Sequence, residues 1–362
     1  MTSTLTRPPD VTTPSSKRTI ASRRDDTIGA LGALALIVGV LTDAWAHANR
    51  LSTLEGFFTP WHALLYGGFA ATAAWTWWLA FRHRREDPRW FLNRWPVGYG
   101  IGAIGSLVFL VGGAGDMFWH EIFGVEVSLE AGLSPSHVTL TIGVILLITS
   151  QMRSWLASGE GGWRTVTGVA STALGTIGGL LIINGLIGVT TIAPTRAFDP
   201  AMGAPSYTSA AQGVQAYLLG AALLLIPFLL VQRRRGAPGL ATAIVGSLGL
   251  FLLIQREFPT PLTGAIVGMT LAAAVVDVVL SRLDTVRGLQ APMRLPIAGA
   301  LFAGGIWTGH LIGLQIASGI RWSPELWAGA VVLSAVIGAL LGTLAASKPA
   351  DKPADEPTQV SV

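Results

Sequence analysis

The 362-residue chain contains no cysteine, which excludes disulfides, thiolate metal sites and iron–sulfur clusters. Charge is scarce as well. Asp, Glu, Lys and Arg make up 12% of the residues, against about 25% in a typical soluble domain. With 51% hydrophobic residues and a mean hydropathy of +0.56, the chain falls outside the ordinary soluble class and belongs in a bilayer. The first apolar run follows a polar tail and is too long for the apolar core of a cleavable leader, so no signal peptide is expected.

The apolar residues are organised in ten runs, at 27–49, 60–82, 97–121, 135–152, 165–192, 208–231, 237–256, 261–281, 294–316 and 324–346. Each approaches or exceeds the roughly 20 helical residues needed to cross a hydrocarbon layer of about 30 Å. The expected class is an all-α polytopic membrane protein of about ten transmembrane helices, arranged as helical hairpins with internal repeats. Residues 1–26 and 347–362 are rich in Pro, Ser, Thr and charge and are expected to be disordered tails. Between them, 27–152 form two repeated hairpins and 153–346 supply helices five to ten.

Of the 24 Lys and Arg residues, 20 fall in the two tails and in the connections near 82–95, 150–165, 232–236 and 282–294. The opposite face holds only Arg50, Arg196, Arg256 and Arg321. Basic residues are retained in the cytoplasm, so both termini are expected there, with the protein in the plasma membrane. The net charge of +4 is thereby explained by topology and by anionic lipid, with no call for nucleic acid. The expected partners are the bilayer and a small molecule or metal ion.

Histidine is sorted too. His47, His62, His120, His137 and His310 fall on the sparsely basic face, while His83 lies in the basic run FRHRRED. LEGFFTPWH at 54–62 returns as LEAGLSPSH at 129–137, and each copy is preceded by D-x3-H, in TDAWAH and GDMFWH. The first copy holds Asp43, His47, Glu55 and His62; the second holds Asp116, His120, Glu130 and His137. Asp and His four apart share a helix face. Thr59-Pro60 and Ser134-Pro135 read as an N-cap followed by Pro at the first helical position, which places His62 and His137 in a first helical turn. APSY, TPLT and SPEL mark similar helix starts further on and extend the repeat to five hairpins in weaker form.

Each hairpin thus brings one carboxylate and two imidazoles to the outer membrane boundary. Such donors suit Zn, Cu(II), Fe or Mn, and ionisable groups inside a membrane usually serve a function. The aspartates are candidate ligands, and Glu55 and Glu130 in the loops are candidate proton acceptors or general bases. His310 is a candidate further ligand. Arg256 is expected to face an outer acid, Asn184 to bond between helices, and Asp277 to pair with Arg282 or snorkel.

The D-x3-H spacing followed by a His at the start of the next helix resembles the copper-binding motif in the C subunit of particulate methane and ammonia monooxygenases. That family carries one such motif and this chain carries two. The resemblance implies copper at Asp43, His47 and His62 and at Asp116, His120 and His137, with zinc and iron fitting the same donors. Three functions follow: a membrane metalloprotein with redox or hydroxylating chemistry, a transporter or metal-handling permease, and a metal-dependent membrane hydrolase with Glu55 or Glu130 as base.

Overall fold

The computed structural model describes residues 19–50, 57–124, 128–201, 203–287 and 291–347. It is all-α. In chain order the helices are α1 (Arg23–Asn49), α2 (Pro60–Phe81), α3 (Trp90–Asn93), α4 (Tyr99–Phe123), α5 (Ser128–Leu133), α6 (Pro135–Ile148), α7 (Ser150–Ser158) and α8 (Trp163–Leu180). Three 3-10 turns follow, Leu181–Leu186, Gly188–Thr190 and Ala193–Thr195. The remaining helices are α9 (Pro205–Gln232), α10 (Leu240–Gln255), α11 (Thr260–Arg287), α12 (Ala291–Ser318) and α13 (Pro324–Ala346).

Among the described residues eight helices are long and apolar enough to cross a membrane, rather than ten: α1, α4, α6 with α7, α8 with the first 3-10 turn, α9, α11, α12 and α13. Two expected runs differ for different reasons. α10 has 16 residues, about 24 Å at 1.5 Å per residue, and most of its side chains are buried among other helices, as suits a short core helix. α2 has 22 residues but carries Trp61, His62, Tyr66, Trp75, Trp77 and Trp78, whose polar ring atoms lower its hydropathy. α2 nonetheless lies alongside α1 from end to end. Asp43 meets His62 at one end of the pair and Asp25 meets Arg82 at the other.

α1 begins at Arg23, four residues before the expected run, because Ser22 and Asp25 form a reciprocal capping box. Ala21 is buried and Thr19 accepts a hydrogen bond from Val97, so residues 19–26 are ordered; the tail expected at 1–26 otherwise lies outside the described residues, as does 348–362. One core cluster runs from Ala33 and Leu36 in α1 to Trp322 and Ala330 near and in α13, so the segments on either side of residue 152 share a core.

The two ends of the bundle differ. At one end Arg23 pairs with Glu160 at 3.0 Å, Arg235 donates to the Glu160 carbonyl, and Arg233 donates to the Ser347 carbonyl. Buried Asp26 there accepts from Arg164 at 2.5 Å, Tyr99 at 2.9 Å and Ser154 at 3.1 Å. Ser22 and Ser347, which flank the first and last helices, thus lie at the same end, with the basic connections. Asp277, expected to pair or snorkel, instead accepts from the backbone N–H groups of Ala241 and Thr242 and from the Thr242 hydroxyl. It caps the N-terminus of α10.

Candidate metal centre

The opposite end holds the repeated residues. Thr59 caps α2 by accepting from the His62 N–H at 3.1 Å, with Pro60 at the first position. That start carries the His62 ring to α1, where Nε2 lies 3.4 Å from Asp43 Oδ1; His47, one turn beyond Asp43 in α1, has Nδ1 3.6 Å from Asp43 Oδ2. The second hairpin repeats this. His120 Nε2 lies 3.7 Å and His137 Nε2 3.5 Å from Asp116 Oδ1. In each triad, Asp43/His47/His62 and Asp116/His120/His137, one potential ligand atom per residue lies within 4.8 Å of the others.

The hairpins close in the same way. A Cβ on Gly39 would stand 2.6 Å from Leu65 Cα, and one on Gly68 2.7 Å from Leu36 Cα. In the second hairpin a Cβ on Gly112 would stand 2.8 Å from Leu140 N, and one on Gly143 2.6 Å from Phe109 N. Gly39, like Asp43, recurs 73 positions on, and Gly68, like His62, recurs 75 positions on. Backbones this close let short side chains from two helices meet.

Orientation of the rings comes from their second nitrogens. A carbonyl can only accept, so His62 Nδ1, 2.5 Å from Phe57 O, carries a proton, and in the neutral ring Nε2 presents its lone pair to Asp43. A lone pair opposite a carboxylate oxygen is repulsive unless a proton or a metal cation lies between them. His47 Nδ1 likewise lies 3.0 Å from the Asp43 carbonyl. Ser134 departs from its expected role: its hydroxyl makes no cap bond to the backbone and meets His137 Nδ1 at 2.7 Å. Ser136 donates to Asp116 Oδ1 at 3.2 Å. Asp43 Oδ1 and both ring nitrogens of His120 are buried with no hydrogen-bond partner among the described residues. Buried polar atoms without partners are costly, and a cation bound at each triad would satisfy Asp43 Oδ1 and one of the two His120 nitrogens.

The two triads are not separate. His120 stands among the other three rings, with centroids 6.5 Å from His47, 6.0 Å from His62 and 6.3 Å from His137. A cavity of about 860 Å³ is lined by Asp43, His47, His62, Asp116 and His137 together. Tyr66 also lines it, packed between Phe57 and Phe109.

Other expected residues fall elsewhere. Glu55 lies outside the described residues. Glu130 is exposed on α5, and the cavity is reached by its neighbours Leu129 and Gly132. His310 is fully buried in α12, hydrogen-bonded to Tyr217 at 2.9 Å and packed on Trp307. It belongs to neither triad. His83 pairs with Glu86 at the other end.

The expected helix over 165–192 stops at Leu180, and the 3-10 turn Leu181–Leu186 forms one wall of the cavity. Irregular backbone at membrane depth is tolerated where it is buried in protein or faces a cavity. Asn184 sits in this turn, not in a helix, and accepts from Arg256 at 2.8 Å. Arg256, expected opposite an acid, also lines the cavity. The residues after it, Glu257 and Phe258, have φ of 57° and 55°, a left-handed conformation costing roughly 1–2 kcal/mol per non-glycine residue. The sequence held one signal for Arg256: it is among the four basic residues on a face otherwise poor in them.

Comparison with family models, curated proteins and solved structures finds no match to this chain. The likeness to the monooxygenase C subunit therefore rests on the motif alone.

Proposed function

We propose that this is an integral membrane metalloprotein whose two Asp/His/His triads hold transition-metal ions in one shared cavity on the extracytoplasmic side. The observation that carries it is the convergence of both triads on a single cavity, with His62 and His120 centroids 6.0 Å apart. Asp43, His47 and His62 would hold one ion and Asp116, His120 and His137 the other. Nitrogen and oxygen donors without sulfur suit Cu(II), Zn or Fe, and the motif favours copper. Such ions supply Lewis-acid chemistry and, for copper or iron, redox chemistry.

The chain's own groups fix the ligands. The Phe57 carbonyl and the Ser134 hydroxyl orient His62 and His137, and Ser136 orients Asp116. Matching Gly, Asp and His offsets support descent of residues 27–152 from one duplicated hairpin, with 153–346 contributing Asn184 and Arg256 to the cavity wall. The sparse basic charge at this end supports an outward orientation. Redox or hydroxylating chemistry is favoured over hydrolysis because no described glutamate lines the cavity. A fixed centre is favoured over a permease because buried Asp26–Arg164 and neighbouring Asp25–Arg82 pairs join helices at the opposite end.

Metal analysis of the detergent-purified protein, with its visible and paramagnetic resonance spectra, tests this. The wild type is expected to hold about two ions per chain, and the Asp43→Asn, Asp116→Asn double variant to hold none. A wild type that takes up neither copper, zinc nor iron, or a double variant with full metal content, overturns the assignment.

A further inference from the structure

The cavity has chemically distinct walls. The triads form one. A second is apolar, built from Val40, Leu65, Leu140, Val144, Leu181 and Leu186. The third carries a cation: Arg256, at the C-terminal cap of α10, reaches the cavity beside Asn184.

Arg256 is placed with unusual care. Its guanidinium donates to the Asn184 amide oxygen at 2.8 Å, and Asn184 is itself held, its amide nitrogen donating to the Leu181 carbonyl and its own carbonyl accepting from Thr190 Oγ1 at 2.8 Å. Two consecutive left-handed residues, Glu257 and Phe258, follow directly; Phe258 N–H closes the helix end on the Leu253 carbonyl at 3.0 Å. Backbone strain of this kind concentrates at ligand clamps and active sites.

The partner of this guanidinium is a neutral amide, and among the described residues it forms no ion pair with a carboxylate. The two acids lining the cavity, Asp43 and Asp116, each face two histidines of their own triad at 3.4–3.7 Å. Arginine presents a planar fork that matches carboxylate and phosphate oxygens in pairs. A volume of about 860 Å³ is within the usual range for a small organic ligand, roughly 300–1,000 Å³. From these walls together we propose that the cavity binds an amphiphile bearing a carboxylate or phosphate group, its oxyanion on Arg256 and its apolar body against the leucine and valine wall. This deepens the metal-centre proposal by naming the class of molecule that the centre acts on, and rests on it for that role; binding itself rests on Arg256 and the apolar wall.

The test uses full-length protein in lipid nanodiscs, with empty nanodiscs as the blank. Binding of radiolabelled decanoate, decyl phosphate, decanol, acetate and inorganic phosphate is measured for wild type, Arg256→Gln, Arg256→Lys and Asn184→Ala, with metal content and melting temperature determined on the same samples. The expected result is that decanoate or decyl phosphate binds the wild type, that Arg256→Gln weakens this at least roughly tenfold, and that Arg256→Lys and Asn184→Ala give smaller losses. Which of the two probes binds more tightly identifies the oxyanion. Decanol should bind more weakly than the anions and equally to wild type and Arg256→Gln.

The proposal is overturned if decanol binds as tightly as decanoate and decyl phosphate, or if Arg256→Gln leaves anion affinity unchanged. It is also overturned if acetate or inorganic phosphate binds as tightly as its ten-carbon counterpart. Should Arg256→Gln fail to fold, unchanged anion affinity in both Arg256→Lys and Asn184→Ala overturns it equally. Arg256-dependent binding of decanoate to a wild type devoid of metal would leave this cavity assignment standing and defeat the metal centre instead.

Discussion

The imidazole rings of His62 and His120 lie 6.0 Å apart although they belong to different hairpins. His62 enters from the first turn of α2 and His120 from the last turn of α4, and Phe57 packs against both rings. A change in one hairpin is therefore expected to reach the candidate ligands of the other. His120→Ala is expected to remove one ion and to weaken the ion held by Asp43, His47 and His62, by roughly 10–100-fold, as for loss of an outer-shell partner. Copper titration followed by paramagnetic resonance checks this: the wild type should show coupling between two nearby Cu(II) centres, and the variant one isolated centre of reduced affinity. Two uncoupled centres with independent affinities would show that the cavity is not shared.

Gly143 has no room for a side chain, since its Cβ would meet the backbone of Phe109 at 2.6 Å and backbone cannot swing aside. Gly143→Ala is expected to destabilise the protein by about 1–3 kcal/mol and to lower metal content at the second triad. Gly67→Ala, where a Cβ would meet nothing within 4 Å, is the matched control and should leave both unchanged. Thermal melts and metal analysis on the two variants decide it.

At the other end of the bundle, Arg164 and Asp26 form a buried ion pair. Arg164→Ala leaves Asp26 without its cation and is expected to cost about 3–5 kcal/mol, whereas the Arg164→Met, Asp26→Leu double variant should recover much of that. Metal content should persist in the double variant, because the triads lie at the opposite end. A single variant as stable as the wild type, measured by thermal melting in detergent, contradicts this account of the pair.

Because the chain has no cysteine, single introduced thiols report topology cleanly. Arg84→Cys, at the basic end, should stay unlabelled by an impermeant maleimide in intact cells, and Asp199→Cys should label. The reverse pattern would place the metal cavity in the cytoplasm and overturn the orientation inferred from charge.

Several features are local enough to be read from the chain. Composition sets the solvent. Asp43 and His47, or Asp116 and His120, share a face because four residues span just over one helical turn. Thr59-Pro60 starts α2 and delivers His62 because an N-cap is a property of a few consecutive residues. These interactions span about a turn of helix, so residue order alone specifies them.

Tertiary structure decided what distance along the chain conceals. That the triads share a cavity depends on how the α1–α2 pair packs on the α4–α6 pair, through ring contacts such as Tyr66 on Phe109 and Phe57 on His120 between residues far apart in sequence. α8 was expected to continue to 192 because its apolar run does; it stops at Leu180, and the turn after it packs against α5 and faces the cavity. Ser134 is expected as a cap like Thr59, yet its hydroxyl turns to His137, a choice among nearby hydrogen-bond partners that its sequence neighbours leave open. Asp277 capping α10, and Arg256 meeting Asn184, join residues more than thirty positions apart. Hydrophobic burial is non-directional; it assigns these helices to the bilayer, whereas side-chain shape and unsatisfied polar groups select which of them meet.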